Sequence, residues 1–230
     1  MENGILRRNY LFSDPYLHQL CNEKIVIAGR DFHKLFFQNA APVSLTALSA
    51  RNIAFKDLPS EYELTCKLEE ASETKSYLAA QLRTGIRNIL HRLSFQPDAV
   101  PASVQKLEKP CLEQLTDIDL LSYGKSLVQT LSPSLSDIRD TGLTPAMMST
   151  LLQICYEFDL AIDKLRKTVC DCDLINAQRI KIGNQIYEEL LSLCNKGKQT
   201  WAGINEAKYN DYVILGSPHN SQESVKPSQQ

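Results

Sequence analysis

Apolar residues recur at three- and four-residue intervals along most of this chain, the spacing that lines one face of an α-helix. Leu17, Cys21, Ile25, Ala28, Phe32 and Leu35 form such a row and predict a first helix over residues 13–38. Pro42 marks the turn after it. A second helix is expected over 44–57, ended by Pro59, which disfavours helix in the residue before it and has no N–H to donate. Ser60, with Glu63 three residues on, has the form of a capping box. It opens a long third helix to Leu93, whose row of Leu64, Leu68, Ala71, Leu78, Leu82, Ile86, Ile89 and Leu93 is interrupted by Lys75. A fourth helix is expected over 117–139. A fifth, after Gly142, carries Met147, Leu151, Ile154, Phe158, Leu165 and Val169. A sixth, over 172–200, carries Ile175, Ile182, Ile186, Leu190 and Leu193, with Lys196 and Lys198 where the helix dipole favours cations. The texture is that of long helices rather than many short strands, so the expected class is all-α, a helical bundle of about six helices.

Four helix starts share one grammar: an apolar residue, a hydroxyl residue, and an apolar residue four positions further on. They are Phe12-Ser13 with Leu17, Val43-Ser44 with Leu48, Leu115-Thr116 with Leu120, and Leu143-Thr144 with Met148. The hydroxyl can cap the free N–H groups of the first turn and the apolar pair can close as a staple. The first and third starts are 103 residues apart, the second and fourth 100. At the second spacing Leu82, Ile86, Leu90 and Leu93 match Ile182, Ile186, Leu190 and Leu193. This internal repeat divides the chain into two weakly similar three-helix halves, 1–93 and 115–203. A linker at 94–114, punctuated by Pro97, Pro101 and Pro110, joins them. Two repeats are fewer than a solenoid needs, so a compact bundle is implied. A C-terminal strap follows at 204–216. The polar residues 217–230 are expected to be disordered.

Composition narrows the function classes. Hydrophobic residues make up 43% and charged residues 23%, enough apolar material for a real core. A net charge of −2 gives no electrostatic case for nucleic acid or an anionic membrane as partner. The longest apolar run, Ile25 to Gly29, is too short to span a bilayer, and MENGILRRNYLF has no apolar run of signal-peptide length. The expected compartment is cytoplasmic.

Candidate chemistry is sparse. The seven cysteines are irregularly spaced, and Cys170 and Cys172 are one residue apart where zinc pairs use two to four, so no metal or disulfide is expected. His18, His33, His91 and His219 show no metal spacing, and there is no glycine-rich phosphate loop. No catalytic or cofactor-binding residue is assigned, and whether the chain is an enzyme is left open, with a non-enzyme favoured. Arg83, Arg87 and His91 form a basic row at i, i+4 and i+8. It reads first as dipole complement and solvation, and secondly as a site for a small anion or an acidic partner. Gly85 and Gly183 fall inside predicted helices and would allow close helix crossings. The most distinctive segment is Trp201 to Tyr212, WAGINEAKYNDY, with the only tryptophan. Trp201, Tyr209 and Tyr212 dock as a strap in one reading and form a recognition patch in the other.

The start NYLFSDPYL, the middle GLTPAMMSTLLQICYEFD and the end GNQIYEELLSLCNKGKQTW with INEAKYNDYVIL resemble a large uncharacterised family of helical proteins from Bacteroidetes-type bacteria. The resemblance covers about residues 9 to 215, with the A-K-Y-N-D-Y motif of Ala207 to Tyr212 its most specific part. It implies a bacterial origin and an independent helical unit, and it supplies no activity. The expected function is a non-enzymatic structural or protein-interaction module, with a protein partner or self-association. The alternative is a small-ligand or enzyme site in the cleft between the two halves.

Overall fold

The computed structural model describes residues 6–36, 45–94, 110–136, 138 and 141–214. Among these the chain is all-α, with no strand. The helices are α1 (Asp14–Arg30), α2 (Phe32–Phe36), α3 (Leu45–Asp57), α4 (Glu61–Ser94), α5 (Asp117–Leu131), α6 (Pro145–Trp201) and α7 (Glu206–Asn210), with a 3₁₀ turn at Ser132–Ser134. Among the described residues no helix is long and apolar enough to cross a membrane.

Local chemistry sets the starts. Ser13 accepts a hydrogen bond from the Tyr16 N–H (3.4 Å), Thr116 from Asp119 (3.2 Å) and Thr144 from Met147 (3.3 Å). Each satisfies an N–H that the helix leaves free. The fourth expected cap, Ser44, lies outside the described residues, as do Pro42, most of the 94–114 linker and the 217–230 tail. Lys75, the break in the α4 row, reaches Asp117 at 2.7 Å. A Cβ on Gly85 would press on Leu151 and one on Gly183 on the Tyr10 ring, so both glycines sit at close approaches.

Three helix boundaries differ from expectation. The first helix stops at Arg30, because Asp31 turns out of helical geometry and the chain restarts as α2. The fourth ends at Leu131 in the 3₁₀ turn, where the Ser132 hydroxyl donates to the Val128 carbonyl. The fifth and sixth are one helix of 57 residues, since nothing between Val169 and Cys172 can stop a helix.

Packing also divides the chain otherwise than into sequential halves. One compact unit joins Met1–Glu61 with Asp173–Gln230 and the other is Tyr62–Cys172. They are termed here the terminal and the central unit. The terminal core gathers Leu17, Cys21, Leu48, Phe55, Ile186, Leu190, Leu193 and Tyr212. The central core gathers Leu82, Ile86, Leu120, Leu127, Met148, Cys155 and Phe158. Linear periodicity says which face of a helix is buried, and is silent on which helix buries it.

Candidate interaction surface

The strap in the terminal unit begins where α6 ends. Gly203, at φ 69°, takes a left-handed conformation that favours glycine, and the Trp201 carbonyl accepts from Ile204 and Asn205 N–H groups (3.0 and 3.1 Å). Asn205 then caps α7, accepting from Lys208 N–H at 3.1 Å. Beyond α7 the Tyr212 ring lies on Gly197, where a Cβ would overlap it. Its hydroxyl donates to Asp31 at 3.2 Å. Asp31, 4% exposed, also accepts from Lys208 (2.8 Å) and from two nitrogens of Arg30 (3.1 and 2.9 Å). The Arg30 hydrogen bonds, helped by Lys208, hold its carboxyl well below the usual range against the opposing effect of burial. Lys24 is buried without a carboxylate, and its ammonium donates to the carbonyls of Asp211 and Val213. Lys208 and Lys34 stand over the Trp201 ring at 4.1 and 4.9 Å.

Trp201 is 5% exposed and Tyr212 fully buried, so both rings fasten the strap and neither is offered outward. Tyr209 is half-buried against the same core.

The basic row of α4 lies in the central unit. Arg83 donates to the Leu112 carbonyl at 3.0 Å, Arg87 pairs with Glu113, and Arg92 reaches the Gly142 carbonyl at 3.3 Å. The Glu113 carboxyl is held below its ordinary range by a hydrogen bond from its own backbone and by Arg87. These cations fasten the segment before α5 and the turn before α6. Trp201, Tyr209 and Tyr212 belong to the other unit.

A second buried polar group in the terminal unit was not legible in sequence. Arg179 donates to Asp14 at 2.6 Å and to the carbonyls of Leu58 and Pro59, both at 3.0 Å, with its guanidinium 5.2 Å from the Phe55 ring. Asp14 also accepts from the Tyr10 hydroxyl at 2.7 Å and pairs with Arg8 at 3.3 Å. Burial and the neighbouring Asp14 push the Tyr10 hydroxyl up. Nearby, Asn52, fully buried, donates to the His18 carbonyl (3.0 Å) and to Asn22 (2.9 Å), tying α3 to α1. These groups are tied to one another and to backbone, with Asn52 Oδ1 and Arg179 Nε left buried without a partner.

Exposed apolar side chains occur in both units, and on α6 three of them succeed one another. On the first part of α6, Leu152, Tyr156 and Leu160 are 49%, 58% and 51% exposed. They succeed one another at four-residue spacing and so form a continuous row. The first two border an open groove of about 460 Å³, whose lining Lys125, Ser149 and Gln153 complete. Lys125, on α5, is held by Asp159 at 2.8 Å. Ile118, also on α5, is 67% exposed. The buried face of this helix carries Met148, Leu151, Cys155 and Phe158, so the helix is apolar on two faces. That doubled pattern is the signal by which the sequence could have revealed the row.

Comparison of the chain with family models, with curated proteins and with solved structures finds no match.

Proposed function

We propose that the chain is a non-enzymatic helical module that binds another protein, and that the Leu152–Tyr156–Leu160 row receives the partner. The observation that carries this is the row itself. Singly exposed apolar side chains are ordinary, whereas three in succession beside a groove are the pattern of an interaction site. The fitting partner is an amphipathic helix laid along α6, its apolar anchors in the groove and its polar edge at the Lys125–Asp159 pair. The resemblance of Ala207 to Tyr212 to a bacterial family adds a bacterial setting to the proposal and no activity.

The test is a photo-crosslinking residue placed at position 156 of the full chain in its native host. A second at Lys167, an exposed polar position of the same helix, serves as control. The expected result is a discrete protein adduct at 156 that disappears with Leu152→Asp and Leu160→Asp. An adduct between two copies identifies the partner as the chain itself. Equal labelling at 156 and 167, with the purified chain monomeric at high concentration, would refute the proposal.

A further inference from the structure

The terminal and central units match each other in register. At a spacing of 103 residues, Ser13 and Thr116 both cap a helix, Asp14 and Asp117 both open it, and Leu17 and Leu120 are both fully buried. Ala28 and Leu131 follow at the same spacing, as do Leu35 in α2 and Ile138 after the 3₁₀ turn, all buried. At a spacing of 100, α3 and α6 begin at Leu45 and Pro145, and Leu48 and Phe55 are buried as Met148 and Cys155 are. At the same spacing Ile86 and Leu93 on α4 are buried as Ile186 and Leu193 on α6 are.

The packing pairs these segments crosswise. Ile86 and Leu93 lie in one core with Leu120, Met148 and Cys155. Ile186 and Leu193 lie in the other with Leu17, Leu48 and Phe55. We infer that the chain is a tandem duplication whose halves have exchanged their third helices: each compact unit holds the first two helices of one half and the third helix of the other.

The connections explain the exchange. In the second half the second and third helices are one uninterrupted helix, α6, and a straight helix cannot pack its last turns against its first. A third helix that returned to its own pair would need a loop there. In the first half only residues 58–60 separate α3 from α4, and there too the chain passes from one unit to the other. Two of the differences are places where the terminal unit has gained a fastening. Lys24, which holds the strap carbonyls, stands where the central unit has Leu127. Arg179, which holds Leu58, Pro59 and Asp14, stands where it has Ala79. Each half therefore completes its core with a helix of the other.

Hydrogen exchange on the full chain reads the exchange directly, because a cavity loosens the cooperative unit that contains it. Ile86→Ala is expected to speed amide exchange at least about tenfold in 117–131 and 145–158, while 14–30 and 45–57 stay near their original rates. Ile186→Ala is expected to do the reverse. If either alanine variant fails to fold, Ile86→Val and Ile186→Val carry the same comparison with smaller cavities. Loosening of 14–30 and 45–57 by the Ile86 variant, or equal loosening of both sets, would overturn the inference.

Discussion

Replacing Arg179 by methionine tests whether the buried polar group of the terminal unit holds that unit together. Methionine keeps the apolar stem of the side chain and removes the guanidinium and its charge. The Asp14 carboxylate, 8% exposed, then loses its 2.6 Å partner, and the Leu58 and Pro59 carbonyls lose their shared donor. Removing one member of a buried ion pair costs about 3–5 kcal/mol. Two features reduce that figure. Tyr10 and Arg8 still engage Asp14, and the Arg179 Nε, buried without a partner, no longer has to be desolvated. The expected net loss is about 2–3 kcal/mol, or roughly 4–12 °C in the melting temperature of a chain this size. Trp201 is the only tryptophan and lies in the terminal unit, so its fluorescence reports that unit, while circular dichroism reports all helices. The fluorescence midpoint should fall further than the dichroism midpoint. The double variant Asp14→Asn, Arg179→Met should lose about 1 kcal/mol less than the sum of the single losses. A fluorescence midpoint within 2 °C of the original (roughly the shift that less than 1 kcal/mol produces), or strict additivity, would show that the pair is incidental.

Other outcomes follow from the same geometry. Leu152→Asp and Tyr156→Asp should change stability by no more than about 0.5 kcal/mol in thermal melts, because both side chains are already about half in water; a loss above 2 kcal/mol would mean the row is packed. The Asp31 carboxyl is held low, so its contribution is complete above the unfolded value near 3.9 and fades as pH falls through the folded value. Asp31→Asn should therefore cost more at pH 7 than at pH 3, and Trp201 fluorescence of the original chain should hold steady from pH 7 to pH 5. Burial pushes the Cys21 thiol up to about 12 and those of Cys155 and Cys194 up to about 11, whereas Cys111 and Cys170 are exposed. A disulfide reagent under native conditions should label Cys111 and Cys170 first, and early labelling of Cys21 would contradict the packing.

The starts of α1, α5 and α6 were legible because a capping hydroxyl and the apolar residue four positions on are local features, and the three caps form where they were expected. The end of α1 was not. Asp31 is fixed by Lys208 and Tyr212, far along the chain, and no window of sequence contains that pairing. The apparent gap near residue 170 has a different cause. The apolar stripe changes there because the helix leaves the core around Phe158 and enters the core around Ile186, and a change of packing partner reads in sequence like a helix end. Trp201 and Tyr212 were legible as distinctive residues, and their burial follows from Gly197 and Gly203, which single sequence positions do not advertise. The Leu152 row was in plain view, masked by the stronger stripe that faces the core.

The two units differ in how they use buried charge, and this bears on the proposed docking site. In the terminal unit, buried Lys24 and Arg179 each reach main-chain carbonyls, and buried Asp14 and Asp31 each collect several donors from neighbouring segments. Charge buried in this way fixes chain segments in place, and it does so by using up the hydrogen-bonding capacity that a ligand or a reaction would need. The central unit makes the opposite choice. Its core is apolar at the matching positions Leu127 and Ala79, and its exposed apolar side chains include Ile118 on α5 and Leu152, Tyr156 and Leu160 on α6. An exposed apolar row costs solubility and contributes nothing to the fold beneath it, so its persistence beside a groove is best accounted for by a surface that covers it. The buried charges of the terminal unit hold its own segments together, and the row on α6 supports the proposal that a partner docks on the central unit.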